Sequence, residues 1–123
     1  MFMIKKRVLD AKNSGDKTNE GRLKDGRVDN VRVGNVLLYK SGMHNSLFKV
    51  TSDPITHKTV WAGICTVGFK TLMPWCATAG ECFVEYYKMF EKLEYTPNIK
   101  EATHWDMDKR VKEFVTWSDV QVR

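Results

Sequence analysis

The residue types best suited to chemistry stand close together near the amino terminus, between Ser14 and Leu23. Lys17 is a compact point charge that can reach a phosphate, and Arg22 offers a planar fork for a phosphate or a carboxylate. Glu20 lies two residues before Arg22, so on an extended strand the two side chains share one face and can form an ion pair. This spacing predicts either a charged binding face or an ion pair that only stabilises the fold.

The same residues match a known pattern. Gly15, Lys17, Glu20 and Arg22 occupy all four fixed positions of the signature Gly-x-Lys-x-x-Glu-x-Arg, and an arginine-valine-glycine-asparagine turn follows. On these motifs, which cover residues 13–39, the chain resembles the ASCH family of the PUA-like superfamily. The turn departs from the family, which usually has aspartate where this chain has asparagine. The resemblance implies a β-barrel flanked by helices, with a cleft in which the signature residues face a nucleic acid or a nucleoside.

Ligand binding without catalysis is the simplest function that the resemblance implies. The side chains expected to contact RNA or a nucleoside combine cations with aromatic rings; they are Lys17, Arg22, Tyr39, Lys40 and Trp75. Aromatic rings stack on unpaired bases in proteins that bind single strands, whereas aromatic side chains in strands more often belong to the core. Trp61 carries the same two interpretations.

Catalysis is the alternative. Some members of the superfamily resemble amidohydrolases that act on N4-acylated cytidine through a lysine, a threonine and a glutamate, which makes Lys17, Thr18 and Glu20 the catalytic candidates. The threonine of that type lies three places after the lysine, where this chain has Glu20. A neighbouring carboxylate favours the charged form of a lysine, so we expect a cationic Lys17 that binds. Glu81 or Glu85 can supply a further carboxylate.

A ribonuclease is the other enzyme that the superfamily offers, with a divalent metal ion as its cofactor. His44 near Lys40 can activate a ribose hydroxyl and stabilise a phosphorane. No fixed spacing supports this assignment, and the residues around His44 are typical of a hairpin turn. Without such a reaction we expect no cofactor.

A metal site is not predicted. The cysteines are Cys65, Cys76 and Cys82, and neither they nor His57 and His104 show Cys-x-x-Cys or His-x-x-x-His spacing. We therefore expect three buried free thiols, with Cys65 in a strand.

Periodicity along the chain predicts the elements that position these residues. Two helices are expected, over 3–14 with an apolar face of Ile4, Val8 and Ala11, and over 80–93. A polar extended segment covers 17–23. Strands are expected over 31–33, 36–39, 46–51, 59–69 and 111–122, and irregular chain from 96 to 108.

Composition sets the broad class. The chain has 123 residues, 42% hydrophobic and 28% charged, which is typical of one globular domain over 1–123. The net charge of +5 arises within residues 1–42, which hold ten Lys and Arg against five Asp and Glu. A basic region of this kind suggests an anionic partner such as RNA. We expect no signal peptide, no membrane helix and a cytoplasmic location, since the odd cysteine count favours reduced thiols.

Together these observations predict an α+β fold, a small PUA-like β-barrel of about five to six mainly antiparallel strands with two or three flanking helices. The expected partner is RNA or a modified nucleoside, and the expected state is a monomer or weak dimer. A further alternative, from a different class, is a module that binds a host protein through an exposed apolar patch.

Overall fold

The computed structural model describes residues 1–107 and 113–123. Its strands are β1 (Phe2–Met3), β2 (Asn19–Leu23), β3 (Val36–Ser41), β4 (His44–Val50), β5 (Ile55–His57) and β6 (Phe114–Gln121). Its helices are α1 (Lys6–Ser14), α2 (Val60–Val67), α3 (Phe69–Leu72), α4 (Ala79–Phe90) and α5 (Ile99–Met107), with a 3-10 turn at Val28–Asn30. The α+β class is confirmed, with more helices than the two or three expected.

The strands form one curled, mixed sheet in the order β1-β3-β4-β6-β2, and β5 pairs with β6. Among the strand pairs of residues 1–107 and 113–123, only β1 and β3 are parallel; the other pairs are antiparallel. The sheet is a half-barrel, which agrees with the small barrel predicted. None of the helices in the described part of the chain is long and apolar enough to cross a membrane.

Alternation along β6 separates two hydrophobic cores. Val115 and Trp117 face the inside of the half-barrel, where they pack with Phe2, Tyr39 and Phe48. Phe114 lies on the opposite face, in a second core built mainly by α2 and α4, whose buried members include Ile64 and Phe83. The last strand therefore holds the barrel and the helical layer together, because successive side chains of a strand point to opposite faces.

Several of the predicted helices and strands are confirmed. Helix α4 lies within 80–93 apart from its first residue, Ala79; β3 covers the strand predicted at 36–39, and β4 covers the strand predicted at 46–51 except its last residue. Met43 and its neighbour Gly42 form the two-residue turn between those strands, so the hairpin expected near His44 is present. The final strand is β6; residues 111 and 112 of its predicted range lie outside the described residues.

The strand predicted over 59–69 is wrong. This segment forms α2 and α3, because the Thr59 side chain accepts a hydrogen bond from the Ala62 amide and caps α2. Its apolar residues Val60 and Ile64 are spaced for one helical face and are buried in the second core. Short apolar runs fit a strand and a buried helix equally well by periodicity. Cys65 lies on α2 and is exposed, so the expected buried strand cysteine is also wrong.

Two other local predictions fail for reasons of capping and turn chemistry. Residues 31–33 are not a strand, since the Asn35 side chain accepts from the Arg32 amide and Gly34 takes a positive φ of 89° in a tight turn. The irregular region contains α5, whose first turn is capped by Asn98 through the Glu101 amide.

Helix α1 is shorter than predicted and presents a different face to the core. Residues 2–3 form β1, and the helix begins at Lys6. Its buried residues are Leu9 and Lys12, not the predicted face of Ile4, Val8 and Ala11. Burial of a lysine on this face brings a charge into the barrel.

Candidate functional site

Five charged side chains converge inside the half-barrel, and we refer to them as the charged cluster: Lys12, Lys17, Glu20, Arg22 and Asp119. Helix α1 supplies the first, the turn before β2 the second, β2 the next two and β6 the last. Lys12, Lys17, Glu20 and Asp119 are each at most 4% exposed. Lys17, Glu20 and Arg22 of the signature therefore lie together, and Lys12 and Asp119 join them from other parts of the chain.

Glu20 is the common acceptor of the cluster. Its carboxylate oxygens lie 3.3 Å from Lys12 Nζ, 3.9 Å from Lys17 Nζ and 3.6 Å from Arg22 Nε. Burial alone raises the pKa of a carboxyl group, but the three cations around Glu20 outweigh burial and lower its pKa to about 2. Glu20 is consequently ionised throughout the physiological pH range.

Lys17 connects the barrel to the helical layer. Its ammonium donates to the Asn19 carbonyl at 2.7 Å and to the Leu72 carbonyl, at the end of α3, at 2.6 Å. Burial lowers the Lys17 pKa to about 8, and Glu20 opposes that shift. Burial, rather than the neighbouring carboxylate expected from the sequence, has the larger effect on this pKa. At pH 7 a lysine with this pKa is still about nine-tenths charged, so Lys17 remains a cation.

Asp119 and Lys12 are the functional candidates that sequence reasoning missed. Asp119 accepts from Lys12 Nζ at 2.9 Å and from the Tyr39 hydroxyl at 2.9 Å. Lys12 Nζ also lies 4.1 Å from the centroid of the Tyr39 ring and 4.6 Å from that of Phe48. The available signal was the spacing of Lys12 three residues after Leu9, which places both on one face of α1.

A cleft of about 320 Å³ opens beside this cluster, and we call it the signature cleft. Lys12, Lys17 and Asp119 form its floor, and exposed Thr18 and Arg123 lie at its rim. Further lining residues are Asn13, Gly15, Phe48, Val120 and Gln121. Three cations face one carboxylate among these residues, so the cleft favours an anionic ligand.

The remaining predicted ligand residues are dispersed. Tyr39 is fully buried within the barrel core, so its ring offers no face to a base and the stacking role does not fit. Arg22 lies behind Glu20, with its guanidinium 4.7 Å from the Phe2 ring centroid. Lys40 pairs in register with Met3 at the edge of the sheet, away from the residues that line the cleft.

Other candidates lie around a second, larger groove of about 630 Å³. Glu81, Glu85 and Trp75 line it, so neither glutamate shares the signature cleft with Lys17.

His44 is exposed at the start of β4. Trp61 is 40% exposed on α2, where its ring packs edge-on against Phe83. Among the residues described, no three His, Cys, Asp or Glu side chains are grouped to hold a metal ion.

Comparisons with known proteins support the fold alone. No protein-family model matches the chain, and no curated protein matches its sequence. The crystal structure of the hypothetical protein PH0355 is similar with a TM-score of 0.72 at 17% identity, over 98% of this chain and 96% of that one. The solution NMR structure of Protein PF0455 from Pyrococcus furiosus gives 0.64 at 16% identity, over 99% and 96%. The described part of the chain therefore shares its fold with these two proteins.

The charged cluster predicts a specific loss of stability in acid. The folded-state pKa of Glu20 is about 2, below the ordinary value of 4.5, so its contribution is fully present above pH 4.5 and is lost as the pH falls towards 2. We expect Glu20→Gln to be less stable than the natural chain at pH 7, by on the order of 3 kcal/mol, and the difference to shrink towards pH 2. Urea unfolding at several pH values measures both. A difference that stays constant with pH contradicts the assignment.

Proposed function

We propose that this protein binds RNA or a nucleoside in the signature cleft, and that Lys12 and Lys17 hold a phosphate or another electron-rich group of the ligand. One observation carries the proposal: the charged cluster opens onto a cleft whose lining holds three cations, Lys12, Lys17 and Arg123, against one carboxylate, Asp119. An excess of positive charge along a partly enclosed cleft attracts anions, so a ligand phosphate at this position is favoured.

The size of the cleft limits the ligand. About 320 Å³ is at the lower end of the range for small-molecule sites, which suits one nucleotide unit better than a bulkier ligand. The rim adds the exposed Arg123, which can pair with phosphate in a bidentate manner. The alternative of a host-protein module called for a featureless cleft, and a cleft floored by buried charges does not favour it.

The proposal is tested by titrating the folded protein with cytidine 5′-monophosphate and with fluorescein-labelled hexacytidylate at low and at physiological salt. We expect saturable binding of both, and a loss of affinity for the hexanucleotide as salt rises, because cations that contact phosphates release counterions. Absence of binding at both salt concentrations contradicts the proposal.

An N4-acylcytidine amidohydrolase is the second candidate, and the lowered pKa of Lys17 is the observation that favours it. A neutral lysine can act as a general base, but here its ammonium donates to two carbonyl oxygens that stabilise the charged form. Glu20 also occupies the position of the family's threonine. Incubation with N4-acetylcytidine decides between the candidates: release of cytidine and acetate supports the enzyme, and binding without release supports the binding module.

A further inference from the structure

The second groove has a composition that complements the signature cleft. Arg7 of α1 places its guanidinium carbon 4.5 Å from the ring centroid of Trp75, and its Nη2 lies 3.7 Å from Glu85 Oε2 in an ion pair. We call this site the Arg7–Trp75 groove; Glu81 and Thr78 also line it. Arg7 is more than half exposed, so its planar group is accessible to a ligand.

The charges of the groove exclude a phosphate as its occupant. Two carboxylates, Glu81 and Glu85, face one cation, Arg7, among the lining residues. This balance is the reverse of that in the signature cleft, where cations are in excess. A phosphate is therefore repelled from the groove, whereas a neutral base that carries an exocyclic amino group can donate to a carboxylate there.

The groove also has the means to hold a flat ring. The Arg7 guanidinium lies over the Trp75 ring, and RNA-binding proteins stack unpaired bases on aromatic rings and on arginine guanidinium planes. The indole nitrogen of Trp75 is buried and makes no hydrogen bond to any described residue. With about 630 Å³, the groove has room for a base.

Two connections join the groove to the signature cleft. Helix α1 carries Arg7 at one end and Gly15 follows its other end, a separation of eight residues or about 12 Å along the axis. Lys17, on the floor of the cleft, bonds the Leu72 carbonyl three residues before Trp75. A single nucleotide does not span 12 Å, whereas four to five stacked nucleotides do at ~3.4 Å per step.

We propose that the Arg7–Trp75 groove is a base-binding subsite of the same RNA site, so that the ligand is a single-stranded oligoribonucleotide containing an amino-bearing base. This inference rests on the proposed function, since it assigns the phosphate to the signature cleft and the base to the groove. It selects RNA over a free nucleoside as the ligand.

The test compares Arg7→Ala with Lys6→Ala, which removes the same charge from the same exposed turn of α1 but lies outside the groove. We expect Arg7→Ala to weaken binding of hexacytidylate by about tenfold and binding of cytidine 5′-monophosphate by less than about twofold. Lys6→Ala should change both by no more than about twofold. Hexauridylate should bind the natural protein more weakly than hexacytidylate, because uracil lacks the amino group.

Equal losses of affinity for hexacytidylate in Arg7→Ala and Lys6→Ala overturn the proposed subsite, because they show that binding depends only on the net charge of the protein. Equal affinities of the natural protein for the mononucleotide and the hexanucleotide overturn it as well. In either case, saturable binding of the mononucleotide leaves the signature cleft intact as a site. If neither ligand binds the natural protein, the proposed function itself fails.

Discussion

Asp119→Ala is expected to destabilise the protein by about 3–5 kcal/mol, the cost of leaving a buried charge without its partner. The carboxylate bonds Lys12 Nζ and the Tyr39 hydroxyl, and the side chains of Asp119 and Lys12 are fully buried. Truncation leaves the ammonium with only Glu20, at 3.3 Å, and removes the acceptor of the tyrosine. Since small domains are stable by about 5–15 kcal/mol, urea unfolding detects this loss clearly.

The chain contains a matched control for this prediction. Asp10 accepts from Lys6 Nζ at 2.7 Å on the outside of the same helix, with both side chains more than half exposed. Asp10→Ala should therefore cost less than about 1 kcal/mol. The double variant Lys12→Met with Asp119→Leu should recover much of the loss, because apolar side chains can replace a buried pair. Similar losses for Asp119→Ala and Asp10→Ala contradict the buried pair.

Lys17→Met is expected to weaken binding of hexacytidylate by at least about tenfold, since a charge-assisted contact to phosphate is lost from the floor of the cleft. The number of counterions released on binding, read from the slope of log affinity against log salt concentration, should fall by about one in this variant. Fluorescence anisotropy at several salt concentrations measures both effects. Lys24→Met is the matched control, because Lys24 is exposed after β2 and does not line the cleft.

Lys17 also bonds two main-chain carbonyls, so its loss affects the fold as well as the ligand. Arg123→Ala separates the two effects, because Arg123 is exposed at the rim of the cleft. A variant with unchanged stability and several-fold weaker binding supports the site. Unchanged affinity in both Lys17→Met and Arg123→Ala would place the RNA elsewhere.

Local spacing was sufficient to predict that the signature residues share a charged site. Glu20 and Arg22 are two apart on a strand, and Lys17 precedes them in a turn, so their proximity depends on short-range geometry. Asp119 is 107 residues from Lys12, and no local pattern pairs two residues at that separation. The placement of Glu81 and Glu85 also depended on tertiary packing, because a polar helix face does not reveal which groove it borders.

The secondary-structure predictions that proved wrong concern segments whose local sequence fits more than one element. Residues 59–69 are rich in apolar side chains that fit a strand or a buried helix, and the capping role of Thr59 decided for the helix. Asn98 acted in the same way for α5, where a proline just before it suggested irregular chain. Long elements with a clear period, such as α4, were predictable because one face is buried along the whole length.

The central claim is that the buried cations of the barrel open onto a nucleotide site, and backbone NMR of the unmodified protein tests it most directly. Titration with hexacytidylate should shift the amide signals of residues that line the signature cleft, in particular Gly15, Thr18 and Gln121. Amides of the exposed hairpin at Gly42 and Met43 should stay unchanged and serve as an internal reference. Shifts absent from the cleft, or confined to other surfaces, would contradict the account.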